Sequence, residues 1–332
     1  MSPSEQQPFA PSDLPIGPDG RIYHLQVKPE EVAPNILIVG DPGRARFIAE
    51  KYFDEIEATS DHRGLVTITG SAKIPKNEQS KLTSLRTSVV TSGMGTPSFE
   101  IVANEIVTLH EIDFATRTCK EKFPRIHIIR VGTSGGLQAQ TELGTPIITT
   151  YGIGMDNAGC FYEAPYPDET CRRLELESAA LIRENMPSDS RFYGRIQPYV
   201  SRANPAMVEA LKQASSQLGV PTKPGLTVSA PGFSAAQGRD INRVKPSVMD
   251  LDLLFSEFNP GVEGQLVENM EMEASFLLHY MNGLGHWAGA ICVAIANRRQ
   301  NTIDVNYQES IANATQVALL ALALARSENS AA

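Results

Sequence analysis

The chain has 332 residues, 42% hydrophobic and 20% charged, with a formal net charge of -9 at pH 7. That length and apolar content suffice for one large or two ordinary domains with a buried core. The acidic balance excludes nucleic acid and anionic membrane surfaces as partners, since both repel such a field, and leaves small molecules and other protein chains.

In chain order, the first 20 residues are polar and Pro-rich without an apolar signal region, so residues 1–20 are expected to form a flexible arm. Short, apolar, β-branched runs at 36–39, 66–69, 87–91, 127–131, 146–150, 226–229 and 288–296 predict buried strands. Helical patterns fall at 45–52, 98–109, 168–185, onward from 205, 274–282 and 308–325, with Asn204 as N-cap and Pro205 at the first helical position. Alternation of the two kinds of element predicts an α/β class with a parallel or mixed sheet covered by helices. Stretches near 71–84, 112–125, 187–202 and 240–264 are polar or irregular and are expected to be surface insertions in a single domain spanning 21–328. The apolar run 317–325 is too short to cross a bilayer. Cys119, Cys160, Cys171 and Cys292 show neither a disulfide framework nor metal-ligand spacing, so no metal is expected and a reducing, cytoplasmic setting is.

Three Gly-rich turns carry chemistry. Gly40-Asp41-Pro42-Gly43 follows a strand and delivers Arg44 at a helix start, an arrangement suited to phosphate and also to an ordinary turn. Gly93-Met94-Gly95 resembles half of a dinucleotide fingerprint but has Ser98 where the third glycine belongs, so a substrate-facing turn fits better. Arg130 sits inside an apolar strand ahead of Gly132-Thr133-Ser134-Gly135-Gly136. A guanidinium keeps its proton, so burying it requires an anion, either a ligand or an internal carboxylate. The same turn satisfies G-x-S-x-G, which opens a rival reading: a serine esterase of α/β-hydrolase type with Ser134 as nucleophile and His279 or His286 as base.

Later, Glu271 and Glu273 flank Met272 directly before an apolar run. Residues two apart share a face only in extended chain, so both carboxylates are expected on a strand end before the helix, aimed into a pocket. Glu268 is expected at the surface.

Taken in order, Tyr23-His24-Leu25, Gly40-Asp41-Pro42-Gly43-Arg44, Asp61-His62-Arg63, Gly93 to Ser98, Arg130 to Gly135, Phe233 with Gln237-Gly238-Arg239, Glu271-Met272-Glu273 and Asn297-Arg298 resemble the nucleoside phosphorylase-I family, and within it the uridine phosphorylases. The resemblance implies a three-layer α/β/α fold with a central mixed, partly barrel-like sheet. It also implies cleavage of a nucleoside by inorganic phosphate as co-substrate, with no cofactor.

By the same resemblance, Gly40, Arg44, Arg130 and Thr133 would hold phosphate, together with Arg63 from a neighbouring subunit. Met272, Glu273 and Thr133 would meet the ribose, with His24 of the neighbour at the 5′-hydroxyl. Phe233, Gln237, Arg239, Gly135, Glu271 and Arg298 would surround the base, and Arg130, Glu273, Arg239 and Gln237 would carry catalysis. Shared sites imply a homodimer, with a hexamer as alternative. Purine-cleaving relatives carry an Asp where this chain has Asn297, and an amide cannot protonate a purine, so uridine is the expected substrate. Gly64 stands where bacterial relatives have an acidic residue of an interface cation site, which puts that cation in doubt. Alternatives are a purine nucleoside phosphorylase or nucleosidase of the same fold, and a non-catalytic nucleoside-binding protein.

Overall fold

The apolar runs read from the sequence form strands, each longer than its hydrophobic stretch. The computed structural model describes residues 7–76 and 82–329, and the chain divides into two units, one ending at Ile128 and one beginning at Ile129.

The first unit contains β1 (Asn35–Val39), α1 (Pro42–Tyr52), β2 (Phe53–His62), β3 (Leu65–Lys73), β4 (Ser84–Thr91), α2 (Thr96–Glu111) and a small hairpin of β5 (Ile112–Asp113) and β6 (Thr118–Cys119). Fully buried β1 pairs in parallel with β4, β4 antiparallel with β3, and β3 antiparallel with β2. Strand β2 eluded the sequence pattern because most of its side chains face water; its backbone pairing with β3 holds it as an edge. The stretch read as an insertion near 71–84 begins and ends in hairpin, with Ser71 opposite Arg86 and Lys73 opposite Ser84, while 77–81 lie outside the described residues. The 112–125 stretch contains the β5–β6 hairpin.

The connection from β2 to β3 is Arg63-Gly64, with φ of 55° and 77°. Two positive φ values are the signature of the tight hairpin turn whose twist matches its flanking strands, which gives Gly64 a conformational reason to stand there. The arm expected to be flexible is held over its first described residues: Phe9 N–H donates to Arg117 O at 2.8 Å, and the Arg117 guanidinium donates to Phe9 O, Ala10 O and Leu14 O. Leu14 is buried there, and residues 1–6 of the arm lie outside the described chain.

The second unit takes up β7 (His127–Gly136), whose first two residues belong to the first, then β8 (Pro146–Gly154), α3 (Glu169–Glu184), β9 (Tyr199–Arg202), α4 (Pro205–Leu218), β10 (Lys223–Ser229), α5 (Leu251–Glu257), β11 (Val267–Glu271), α6 (Ala274–Gly283), β12 (Trp287–Asn297), β13 (Thr302–Ile303) and α7 (Gln308–Asn329). Strands run in the order β12-β8-β10-β11-β7, and β7 pairs again with β12, so five strands close into a barrel-like ring. β8, β10 and β11 are parallel, while β7 and β12 lie antiparallel to β11 and β8, which makes the sheet mixed as expected. Helix α6 packs on β8, β9, β10 and β12, α4 and α7 pack on each other and on β12, and α4 also packs on β8. As read from the sequence, Asn204 caps α4, its side chain accepting from the N–H of Ala206 and Met207.

The C-terminal ends of the three parallel strands share one rim, with Gly154 opposite Ser229 and Ser229 opposite Glu271. Open α/β sheets bind ligands at that rim. Two further stretches expected as insertions contain regular structure: 187–202 includes β9, and 240–264 includes α5, whose Leu251 and Phe255 enter the core with Leu226, Val228 and Met270.

Glu268 departs from expectation. It is 2% exposed, and its Oε2 accepts from Lys223 Nζ at 2.8 Å and Thr141 Oγ1 at 3.0 Å. Gly225 makes the room: a Cβ there would lie 2.3 Å from Glu268 Cγ.

Gly64 meets no neighbour within 4 Å, so Gly64→Ala tests backbone conformation alone. The expected loss is about 1 kcal/mol by urea unfolding, and no change would contradict the turn assignment.

Candidate active site

Arg130 lies within β7 at 5% exposure. Its Nε donates to Glu271 Oε2 at 2.9 Å and its Nη2 to Glu273 Oε2. Burial works against the guanidinium charge, but the two carboxylates, Glu273 foremost, outweigh it and raise the pKa above its ordinary value. A Cβ at position 132 would come 3.1 Å from Arg130 Nη2 and 2.9 Å from Cys292 Sγ, so the guanidinium fills space that glycine leaves. The third nitrogen, Nη1, is fully buried and has no hydrogen-bond partner among the described residues. Buried donors rarely stand unpaired, and this one points to a missing acceptor.

Both carboxylates turn to Arg130, although only the first lies in extended chain. Glu271 ends β11 and Glu273 occupies the N-cap of α6. Glu271 also accepts from the N–H of Glu273 and of Ala274, both within 3.1 Å, and from Ser229 Oγ. Both its oxygens therefore serve the protein: Glu271 holds Arg130 and caps the α6 start, where the helix dipole favours negative charge. That engagement gives Glu271 a structural task besides its expected place at the base. Met272, half-buried between them, and Thr133 and Gly135, both half-buried on β7, are carried by the same two strand ends.

The loop after β10 gathers three of the expected base contacts. Arg239 stacks over the Phe233 ring with its guanidinium carbon 3.8 Å from the centroid, and donates to Phe233 O and, at 2.9 Å, to Gln237 Oε1. Burial, helped by the nearby Arg298, lowers the Arg239 pKa from its ordinary value. Gln237 is buried while Phe233 is 62% exposed, offering an open aromatic face beside an amide edge. Arg298, after β12, has its Cγ 3.8 Å from where a Cβ on Gly135 would stand, and its Nε donates to Asp252 Oδ2 at 3.0 Å. Asp252 comes from α5 and Ser229 from β10; neither was singled out from the sequence, because each is an ordinary polar residue whose importance lies in a distant partner.

The serine-nucleophile reading fails on geometry. Ser134 lies inside β7, not at a strand-to-helix elbow. Its Oγ donates to Val293 O at 3.4 Å and accepts from Asn269 Nδ2 at 2.9 Å, whereas the His279 ring bonds to Tyr162 O.

In the first unit, Gly40 follows β1 and Arg44 sits in the first turn of α1, where Asp41 caps the helix by accepting from Arg44 N–H at 2.8 Å. His24 and Arg63 come together through Tyr23, whose ring meets the His24 ring edge-on at 4.8 Å and whose hydroxyl accepts from Arg63 Nη2 at 3.0 Å. Behind His24 stands Glu105 of α2, another residue missed in the sequence reading, although an acid on the helix face that carries Val102, Ile106 and Leu109 was a visible signal.

A family model of the phosphorylase superfamily matches residues 34–327. The chain belongs to the phosphorylase superfamily. It is similar to the uridine phosphorylase of Thermococcus kodakarensis, 28% identical over 297 residues that make up 88% of this chain and 83% of that one. A DeoD-type purine nucleoside phosphorylase of Listeria welshimeri is 32% identical, but over only 125 residues, 38% of this chain and 44% of that relative. Among solved structures, a Trypanosoma brucei nucleoside phosphorylase that shows uridine phosphorylase activity aligns with a TM-score of 0.80 and 27% identity, covering 93% of this chain and 99% of that one. A Toxoplasma gondii purine nucleoside phosphorylase aligns at 0.61 with 19% identity, a likeness of fold. The α/β class with a mixed, partly barrel-like sheet is thus the superfamily's own architecture.

Removing one charge from the buried trio breaks a balanced arrangement. Glu271→Gln is expected to cost about 3 kcal/mol in urea unfolding, because Arg130 loses a partner and α6 its cap; a cost under about 1 kcal/mol would contradict the structural role given to Glu271.

Proposed function

We propose that the chain is a uridine phosphorylase, a pentosyltransferase that converts uridine and inorganic phosphate reversibly into uracil and ribose 1-phosphate. The observation that carries this reading is the unpaired Nη1 of buried Arg130, held between two carboxylates at the rim where parallel strands end. A fixed cation with one unpartnered nitrogen is built to receive an oxyanion, and a neighbouring carboxylate to receive sugar hydroxyls.

In the proposed reaction, Arg130 and Thr133 bind phosphate, as do, by the family resemblance alone, Gly40, Arg44 and the neighbour's Arg63. Glu273 accepts from the ribose hydroxyls beside Met272, and His24 of the neighbour meets the 5′-hydroxyl. As the glycosidic bond lengthens, the sugar gains oxocarbenium character and the base negative charge. A phosphate oxygen attacks C1′, and the bonding pair leaves with uracil. Arg239 and the Gln237 amide neutralise the charge developing on the base against Phe233, with Gly135 and Arg298 closing that side. No protein nucleophile is required, since positioning supplies much of the rate.

Substrate class rests on the uridine phosphorylase relatives and on Asn297. Its Nδ2 donates to Gln138 O and Thr141 O, and its Oδ1 accepts from the N–H of Arg299 and Gln300. A side chain wholly engaged with backbone offers no acid to a purine. A homodimer sharing its sites, with a hexamer as alternative, belongs to the same proposal, as does a cytoplasmic, reducing setting for the four free thiols. No helix among the described residues is long and apolar enough to cross a membrane.

Release of uracil from uridine tests the reading: it is expected only when phosphate is present, to exceed release of hypoxanthine from inosine, and to fall about 100- to 1000-fold in kcat/KM in Arg130→Met. Release independent of phosphate would indicate a nucleosidase, and comparable turnover of inosine would end the preference for uridine.

A further inference from the structure

The pair of His24 and Glu105 lies within the first unit, and Glu105 is used by no step above. Glu105 is 7% exposed on α2. Its Oε1 accepts from the backbone N–H of His24 at 2.8 Å and lies 2.8 Å from His24 Nδ1, and its Oε2 accepts from Leu25 N–H at 2.7 Å. Three donors from two adjacent residues thus converge on a single carboxylate. The carbonyls of the same two residues are tied as well, Leu25 O by Ser60 Oγ at 2.8 Å and His24 O by the His62 ring at 3.0 Å. With Leu25 fully buried, this short span is fixed on both sides of its backbone.

We infer that Glu105 is the positioning residue that sets the orientation and proton placement of His24, and thereby the enzyme's discrimination for a sugar bearing a 5′-hydroxyl; this rests on the nucleoside-cleaving reading above. An ionised carboxylate only accepts, so Nδ1 must carry the proton. The imidazole then cannot rotate without losing that bond, and its Nε2 edge is the one left for a ligand. The side chain is 28% exposed, so that edge remains accessible. Tyr23, edge-on at 4.8 Å, restrains the ring from the side. A glutamine at position 105 would present an amide N–H or a single acceptor in place of the carboxylate, and the backbone donors would compete for that acceptor.

The test compares kcat/KM for uridine and for 5′-deoxyuridine, which lacks only the hydroxyl, in wild type, His24→Ala, Glu105→Gln and the double variant. Glu105→Gln is expected to lower the uridine-to-5′-deoxyuridine ratio by about tenfold, with no further fall when His24→Ala is added. A changed ratio in His24→Ala beside an unchanged ratio in Glu105→Gln overturns the inference about Glu105 alone, whereas an unchanged ratio in His24→Ala overturns the assignment of His24 on which it rests. Nitrogen-15 NMR of the wild-type His24 ring provides a measurement that no folding defect can obscure: Nδ1 is expected to be protonated, and a neutral ring protonated only at Nε2 overturns the inference.

Discussion

A guanidinium cannot discard its charge, so burying one dictates what must surround it. Arg130 is buried on β7, one strand of a closed ring, and much of the second unit's local structure answers that placement. Glu271 and Glu273 supply the opposing charge, Gly132 vacates space, and Ser229 steadies Glu271. Two of the three nitrogens are satisfied internally, which keeps the third rigid, unpaired and buried. Under the proposed function, the two N–H groups of Nη1, held in a low dielectric beside paired carboxylates, direct an anion more effectively than a flexible surface arginine would.

The same carboxylate connects charge to secondary structure. Glu271 terminates a strand, pins the arginine and accepts the first free N–H groups of α6, so strand end, helix start and charge network form one unit. Position 273 inherits its place from that cap. The loop after β10 adds a distinct device, in which Arg239 stacks on Phe233 and is oriented by Gln237, while Asp252 of α5 draws Arg298 over Gly135. The carboxylate cluster at the end of β11 and the Phe233–Arg239 loop after β10 therefore rise from neighbouring strands of the same rim.

Much of this was legible in the chain. Arg130 stood out because an arginine interrupts an apolar run, and the two glutamates because only extended backbone turns both to one side. The helix cap at Asn204 follows from residue type and position. What escaped detection depends on partners distant in sequence. Glu268 was taken for a surface acid because most glutamates are exposed, but Lys223 and the gap left by Gly225 allow it inside. Strand β2 alternates too few apolar residues to signal itself and exists because β3 offers it a ladder. Asp252, Ser229 and Glu105 acquire meaning only when the fold brings Arg298, Glu271 and His24 to them.

The most direct measurement of the central proposition is a crystal structure of the protein soaked with inorganic phosphate and uracil. The expected result is a phosphate oxygen about 2.8 Å from Arg130 Nη1, with the ion pairs to Glu271 and Glu273 retained. A phosphate bound elsewhere, with Nη1 still unpaired or turned to a protein acceptor, would contradict the role assigned to the buried arginine.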